Sequence, residues 1–244
     1  MKIHAGISLL VALIVSTALI AVAETPEKPA PYPEMAPVEQ YLMADRNAEI
    51  AMARSAAPDA ISRDATILVL GARGFETAVE GKDGFVCMVE RAWVGGFDRP
   101  EYWNPKVRGP DCLNPEAARS MLPIIKKVSE LVMSRHSRTE IVTAMKIAIE
   151  KKEFPVLETG AMSYMMSKAA YLTDEDDHNG SHLMFYLPLT ETKDWGASVP
   201  NSPVGFGSYW VMDQAHSQFK DAPPIMIFTV QLGVWSDGTA APSM

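Results

Sequence analysis

The sequence predicts an α+β fold: a single antiparallel or mixed sheet of about six strands, with an N-terminal helix and a helical hairpin packed on one face. Short β-rich runs separated by Gly and Asp occupy 66–93 and recur after residue 161. Helical patterns occupy 38–57 and 114–152. Strands and helices do not alternate regularly, which argues against a parallel α/β sheet.

The first residues have the features of an export signal. Lys2 precedes an apolar stretch from Ile7 to Val22, and Ala21-Val22-Ala23 has the small residues of a cleavage site. We expect residues 1–23 to be a signal peptide and the product to be periplasmic or secreted, with no membrane association after cleavage. An uncleaved anchor is disfavoured because no positive charge directly follows Ala23. Five prolines in 24–37 predict an extended linker, which leaves 38–244 as a single α+β domain.

Three helices have recognisable starts or stops. Residues 38–57 are rich in Ala, Met, Glu and Arg and precede Pro58, so they predict one helix. Asn114 is an N-cap with Pro115 at the first helical position, and Pro123 should kink this helix or delay its start. Ser137 and Glu140 have capping-box spacing and begin a third helix, which ends near 151–152.

The strands are predicted from short apolar or alternating runs. The runs at 66–70, 75–79 and 85–93 are separated by glycine-containing turns and predict a three-strand antiparallel meander. Residues 161–166, 182–187 and 225–232 predict three more strands, and 209–212 a further short one. The glycines and prolines of 94–113 predict a long irregular connection.

The two cysteines are expected to form a disulfide, because thiols are usually oxidised outside the cytoplasm. A Cys87–Cys112 bridge would close a loop of about 25 residues. The alternative is a nucleophilic Cys87. That role needs a helix N-terminus or a neighbouring cation to lower the thiol pKa, whereas the residues around Cys87 have the pattern of a strand.

The charge balance excludes one class of partner. The chain has 22 Lys and Arg against 30 Asp and Glu, a formal net charge of −8, and it contains no basic run. Nucleic-acid binding depends on clustered basic residues, so no nucleic-acid partner is expected. The chain also lacks a G-x-S-x-G motif, and it has no other catalytic signature of known spacing. We predict no cofactor.

The acidic segment 174–180 is the nearest approach to a metal site. It imitates the first half of a calcium loop, but Glu175 stands where Asp is needed and Tyr186 where a bidentate Glu is needed. A solvated hairpin tip is therefore favoured over a metal site. The weak ligand candidates are Asp174, Asp176, Asp177, His178 and His182. His182 is more simply explained as a hydrogen-bonded histidine at the sheet edge.

The connection 93–108 combines aromatic and charged residues, as loops that recognise sugars or peptides do. Its candidate binding residues are Trp93, Tyr102, Trp103 and Arg108. The favoured alternative is that the aromatic rings anchor a long loop to the body of the protein.

Four segments carry a resemblance to a known family: 84–87, Cys112 with 114–120, 160–167 and 182–186. In these segments the chain resembles a family of exported bacterial proteins with paired cysteines, for which no activity is known. The resemblance implies export and the cysteine pair, and it transfers no functional residue.

These features together favour an exported, soluble, non-enzymatic binding or interaction domain. Its partner would be a small molecule, a cell-wall fragment or a protein, bound through the 93–108 loop or the 174–182 tip. The alternative is a small periplasmic hydrolase with a Cys or Ser nucleophile, Cys87 being the cysteine candidate, and His182 as the base. A triad assembled in space cannot be read from residue order.

Overall fold

The fold is α+β, as the sequence predicts, with one mixed sheet. The computed structural model describes residues 31–174, 180–188, 196, 199–208, 217–218 and 225–242. Its helices are α1 Arg46–Arg54, α2 Asp59–Ser62, α3 Pro115–Ser120, α4 Leu122–Met133 and α5 Arg138–Glu150. Its strands are β1 Thr66–Gly71, β2 Gly74–Val79, β3 Val86–Glu90, β4 Gly109–Leu113, β5 Met162–Met165, β6 His182–Pro188, β7 Val204–Ser208 and β8 Ile225–Gln231.

The strand order in the sheet is β2-β1-β3-β4-β5-β6-β8-β7. The predicted antiparallel meander is wrong for β3, which pairs with β1 in parallel at Thr66 and Ile67. After β2 returns along β1, the chain crosses the start of β1 before entering β3. Gly81 makes this crossing possible, because a Cβ there would lie 2.1 Å from the backbone nitrogen of Thr66.

The sheet has eight strands where about six were predicted, and β4 and β7 are the additional ones. The strand β4 was not predicted because Gly109 and Pro110 are typical of a loop. Proline is tolerated in this strand because β5 pairs only with Cys112 and Leu113, so Pro110 has no neighbour on the β5 side. The strand predicted at 209–212 lies outside the described residues.

Helices cover both faces of the sheet, which corrects the prediction that they share one face. Alternate strand residues contribute to two different clusters. On the disulfide face, small residues of and after α1 pack against Ile67, Cys87, Val89 and Cys112. On the opposite face, which we call the main-core face, Leu68, Met88 and Leu113 pack with α4, α5 and the aromatic residues of 93–103.

Local capping signals explain where the helices begin. Asn114 and Ser137 cap α3 and α5 as predicted, the latter with a complete capping box. Pro123 lies in the first turn of α4, and the chain divides into α3 and α4 at Met121. The single helix predicted over 38–57 is wrong: α1 begins only at Arg46, because the Asp45 side chain accepts hydrogen bonds from the first turn.

The proline-rich segment is described from residue 31 onward, and its described part packs on the domain. Tyr32, Met35 and Ala36 contact the main core. The Tyr41 hydroxyl accepts a hydrogen bond from the backbone of Ala36 and donates one to the Trp103 carbonyl, both at 3.0 Å. The predicted signal peptide, residues 1–23, lies outside the described residues. Within the described ranges, every helix is too short or too polar to cross a membrane.

Candidate functional site

A cavity of about 410 Å³ opens on the main-core face, between the sheet and the connection that follows β3. We call it the sheet cavity. Its apolar lining includes Val94, Val107, Met165, Leu172, Met184 and Ile227. Its polar lining consists of Glu90, Arg91, Arg99, His182, Tyr186 and Thr229. A largely apolar cavity with a few convergent polar groups is the usual form of a small-molecule site.

The register of the central strands places these side chains together. His182, Met184 and Tyr186 alternate along β6 and therefore share one face of the sheet. Met165 on β5 lies opposite His182, and Thr229 on β8 lies opposite Met184. The wall of the sheet cavity is thus built from cross-strand neighbours whose positions are set by the ladder hydrogen bonds.

Two carboxyl groups meet at one end of the sheet cavity. Glu90 ends β3 opposite Gly109, which has no side chain, and Asp111 lies two residues further along β4 on the same face. Asp111 is fully buried, and neither of its oxygens meets hydrogen-bond geometry with a donor. Glu90 is partly exposed to the cavity. We call these residues the carboxyl pair.

The surroundings of the carboxyl pair favour its protonated form. Burial raises the pKa of Glu90 well above its ordinary value, and the adjacent Asp111 raises it further. Burial also raises the pKa of Asp111, a shift that the Ser163 hydroxyl, Glu90 and the Cys112 backbone oppose only in part. Groups with raised pKa values in a cavity are common at functional sites.

His182 lies at the start of β6 and is 6% exposed. Its Nδ1 is 2.8 Å from the Gly180 carbonyl oxygen, which can only accept a hydrogen bond. Nδ1 therefore carries a proton, and Nε2 is the acceptor nitrogen of the neutral ring. Burial lowers the pKa of His182, which favours this neutral form. The structure thus places one of the predicted catalytic candidates at the sheet cavity.

Two arginines at the cavity differ in their pairing. Arg91 is buried, and its Nη2 lies 2.8 Å from Oε1 of buried Glu49. It also donates hydrogen bonds to the carbonyls of Tyr41 and Val89. Arg99 packs over Gly95, where an added Cβ would lie 2.7 Å from its Cδ and Nη1. No carboxylate of the described residues is within ion-pair distance of Arg99.

The cysteines lie on the other face of the sheet. Cys87 and Cys112 are directly opposite each other on β3 and β4, with their sulfurs at disulfide-bonding distance. Both residues are fully buried in the cluster beneath α1. In this bonded form Cys87 has no thiolate to act as a nucleophile, and the sheet separates it from His182.

The predicted aromatic binding residues of the 93–108 connection lie in the core. Trp93, Tyr102 and Trp103 are at most 4% exposed. The Trp93 indole N–H donates to the Ser129 hydroxyl at 3.0 Å, and the rings of Tyr102 and Trp103 meet edge-on. Arg108 is partly buried and donates to carbonyls of its own loop. The ring faces that a ligand would need are inside the protein, which supports the anchoring interpretation.

Of the acidic segment 174–180, the structure describes Asp174 and Gly180. Asp174 accepts hydrogen bonds from the Tyr171 and Tyr32 hydroxyls and from Lys106 Nζ, which hold its pKa below the ordinary value. Asp176, Asp177 and His178 lie outside the described residues. Within the described ranges, no three His, Cys, Asp or Glu side chains are grouped so that they could hold a metal ion.

The carboxyl pair, Glu90 and Asp111, and Arg99 of the cavity lining were not among the sequence candidates. Asp111 follows a Gly-Pro pair and was predicted to lie in a loop. The cysteine pairing contained a usable signal, because a bridge between neighbouring strands places Asp111 beside Met88, on the same face as Glu90.

No known protein family, curated protein or solved structure matches the chain. The fold and the site define an α+β domain with a largely apolar cavity that Glu90 of the carboxyl pair lines at one end.

Proposed function

We propose that the protein is a ligand-binding protein and that the sheet cavity takes a small, mainly apolar molecule. The observation that carries this proposal is the cavity itself: about 410 Å³, with apolar side chains from β5, β6, β8 and the connection after β3 around a few polar groups. Small-molecule sites occupy roughly 300–1,000 Å³. Of the three partner classes expected from the sequence, a small molecule suits this geometry best.

The composition of the described cavity wall favours binding over hydrolysis. Among the described residues, no serine or cysteine side chain lines it. Ser163 is fully buried and hydrogen-bonded to the Tyr186 hydroxyl at 3.0 Å. The position of His182 at the cavity is the observation that supports the alternative, a hydrolase with this residue as base.

The binding proposal is tested with phenylnaphthylamine, a neutral apolar dye that becomes fluorescent in apolar surroundings. Met184→Trp should fill the cavity and weaken dye binding about tenfold or more. Val156→Trp is the matched control, because Val156 is 88% exposed and does not line the cavity. Equal dye affinity in the wild type and the Met184 variant, with both folded, would contradict the proposal, as would absence of binding to the wild type.

We also propose that the protein is exported and that residues 1–23 are removed. The cysteine pair at bonding distance supports an oxidising compartment. The measurement is the intact mass of the exported protein after alkylation in denaturant without reductant. A mass for residues 24–244 with no alkyl adduct is expected; retention of residues 1–23 or two adducts would contradict cleavage or the bridge respectively.

A further inference from the structure

We propose that the sheet cavity selects ligands with a carboxylate head group, which pairs with Arg99 and accepts a hydrogen bond from the carboxyl pair. This inference rests on the proposed binding function and specifies its ligand class. The ligand would have an apolar body against Met165, Met184 and Ile227, and one oxyanion directed at the polar end of the cavity.

The carboxyl pair supplies the hydrogen-bond donor. Glu90 and Asp111 share a face on neighbouring strands, and burial leaves little water to separate two negative charges. Adjacent buried carboxylates do not both ionise at neutral pH, so one of them retains a proton. Asp111 raises the pKa of Glu90, whereas Glu90 opposes the rise in the pKa of Asp111, so Glu90 is the member that holds the proton. Glu90 is the member that reaches the cavity and can donate to a ligand oxygen.

Arg99 supplies the positive charge. Its guanidinium has no carboxylate partner among the described residues, whereas Arg91 is neutralised by Glu49 at 2.8 Å. An arginine can bind a carboxylate through two parallel hydrogen bonds, which makes the pairing selective as well as attractive.

The other ionisable groups near Glu90 leave the cavity with a net positive charge. His182 is in its neutral form, and the Tyr186 hydroxyl is hydrogen-bonded to Ser163. Arg108 is a further cation close to Arg91. With the carboxyl pair holding a proton, the net charge around the cavity is positive, so a protonated amine is disfavoured as the head group.

The test compares decanoate, decanol and decylamine, which differ only in the head group, by calorimetric titration of the mature protein. At about pH 6.5 decanoate should bind about tenfold more tightly than decanol, and decylamine more weakly than both. Loss of the remaining proton of the carboxyl pair at alkaline pH should weaken decanoate binding about tenfold, while decanol binding changes little.

Two variants separate the two contacts. Glu90→Gln keeps a neutral hydrogen-bond donor that does not titrate, so decanoate should bind with its affinity largely retained, and only the smaller pH dependence due to Asp111 should remain. Arg99→Leu should remove the preference for decanoate over decanol. Arg73→Leu is its control, because Arg73 is exposed and outside the cavity. If the Glu90 variant fails to fold, the Arg99 variant and the wild-type pH profile still decide the question.

The outcomes distinguish the two proposals. If the dye binds but the three head groups bind with equal affinity, carboxylate selection is wrong and the binding function stands. Retention of the full pH dependence in Glu90→Gln would also overturn the role of the carboxyl pair. If neither the dye nor any of the three molecules binds the wild type, both proposals fail.

Discussion

The buried ion pair between Arg91 and Glu49 allows a quantitative test of how this fold is held together. The two side chains are 0% and 2% exposed, and Glu49 Oε1 also accepts a hydrogen bond from the Leu70 backbone at 3.1 Å. Glu49→Gln keeps the shape and an acceptor oxygen but leaves the Arg91 charge uncompensated. Removing one member of a buried pair costs about 3–5 kcal/mol. For a chain of this size, that is a fall in Tm of about 6–20 °C.

The assay is urea unfolding followed by the fluorescence of tryptophan, because Trp93 is buried next to this region. A double-mutant cycle with Arg91→Met should give a coupling energy of about 2 kcal/mol or more. The control is the Arg46–Glu76 pair, whose atoms are 2.7 Å apart but whose side chains are 50% and 57% exposed. Its coupling energy should be below about 1 kcal/mol. Equal coupling energies in the two cycles would refute the reasoning that burial makes the Arg91–Glu49 pair the stronger one.

Three further predictions concern the disulfide, a backbone crossing and the carboxyl pair. Replacing Cys87 and Cys112 by Ala should lower the free energy of unfolding by about 3 kcal/mol, as measured in urea, because the bridge spans 25 residues. Gly81→Ala should cost about 2–3 kcal/mol in the same assay, whereas Gly233→Ala, with nothing within 4 Å of its Cβ, should cost less than about 0.5. Burial raises the pKa of Asp111 in the folded protein above its value in the unfolded chain. The stabilisation that comes from its protonation is therefore complete below about pH 3.9, and it is lost as the pH rises through the pKa of the folded protein. Asp111→Asn should therefore gain stability relative to the wild type as the pH rises, by at most about 1.4 kcal/mol per pH unit for one proton. If the difference in the free energy of unfolding between the variant and the wild type stays constant over this pH range, the reasoning is wrong.

Helix starts were predicted more accurately from the sequence than strand neighbours. The caps at Asn114 and Ser137 depend on residues within three or four positions, so the sequence contains the whole signal. Asp45 was missed because the residues around it also favour a helix, and only its side-chain hydrogen bonds show where α1 begins. The pairing of β1 with β3 depends on the path of the loop between β2 and β3. The hydrophobic pattern of the strands does not show that path.

The residues of the site were also predictable only where their signal is local. His182 was identified because histidine is chemically distinctive in any context. Glu90 and Asp111 become distinctive only after β3 and β4 pair, because exposed carboxylates on two unrelated loops would have ordinary pKa values. The aromatic residues of 93–103 were candidates for the opposite reason: their composition suits a binding loop, and only the packing shows that they belong to the core.

Glu90 and Arg91 are consecutive, and the difference between their surroundings separates a structural role from a functional one. Arg91 has a carboxylate partner and two carbonyl acceptors, so its burial is compensated. The carboxyl pair has no cation partner among the described residues: its two acidic groups lie next to each other, and Glu90 faces a cavity. Replacement of buried ionic groups by well-packed apolar residues of similar volume is often neutral or stabilising, by up to about 4 kcal/mol. Glu90→Met combined with Asp111→Leu should therefore raise the free energy of unfolding in urea while the preference for decanoate over decanol decreases. A double variant that is less stable than the wild type would show instead that the two carboxyl groups are required by the fold.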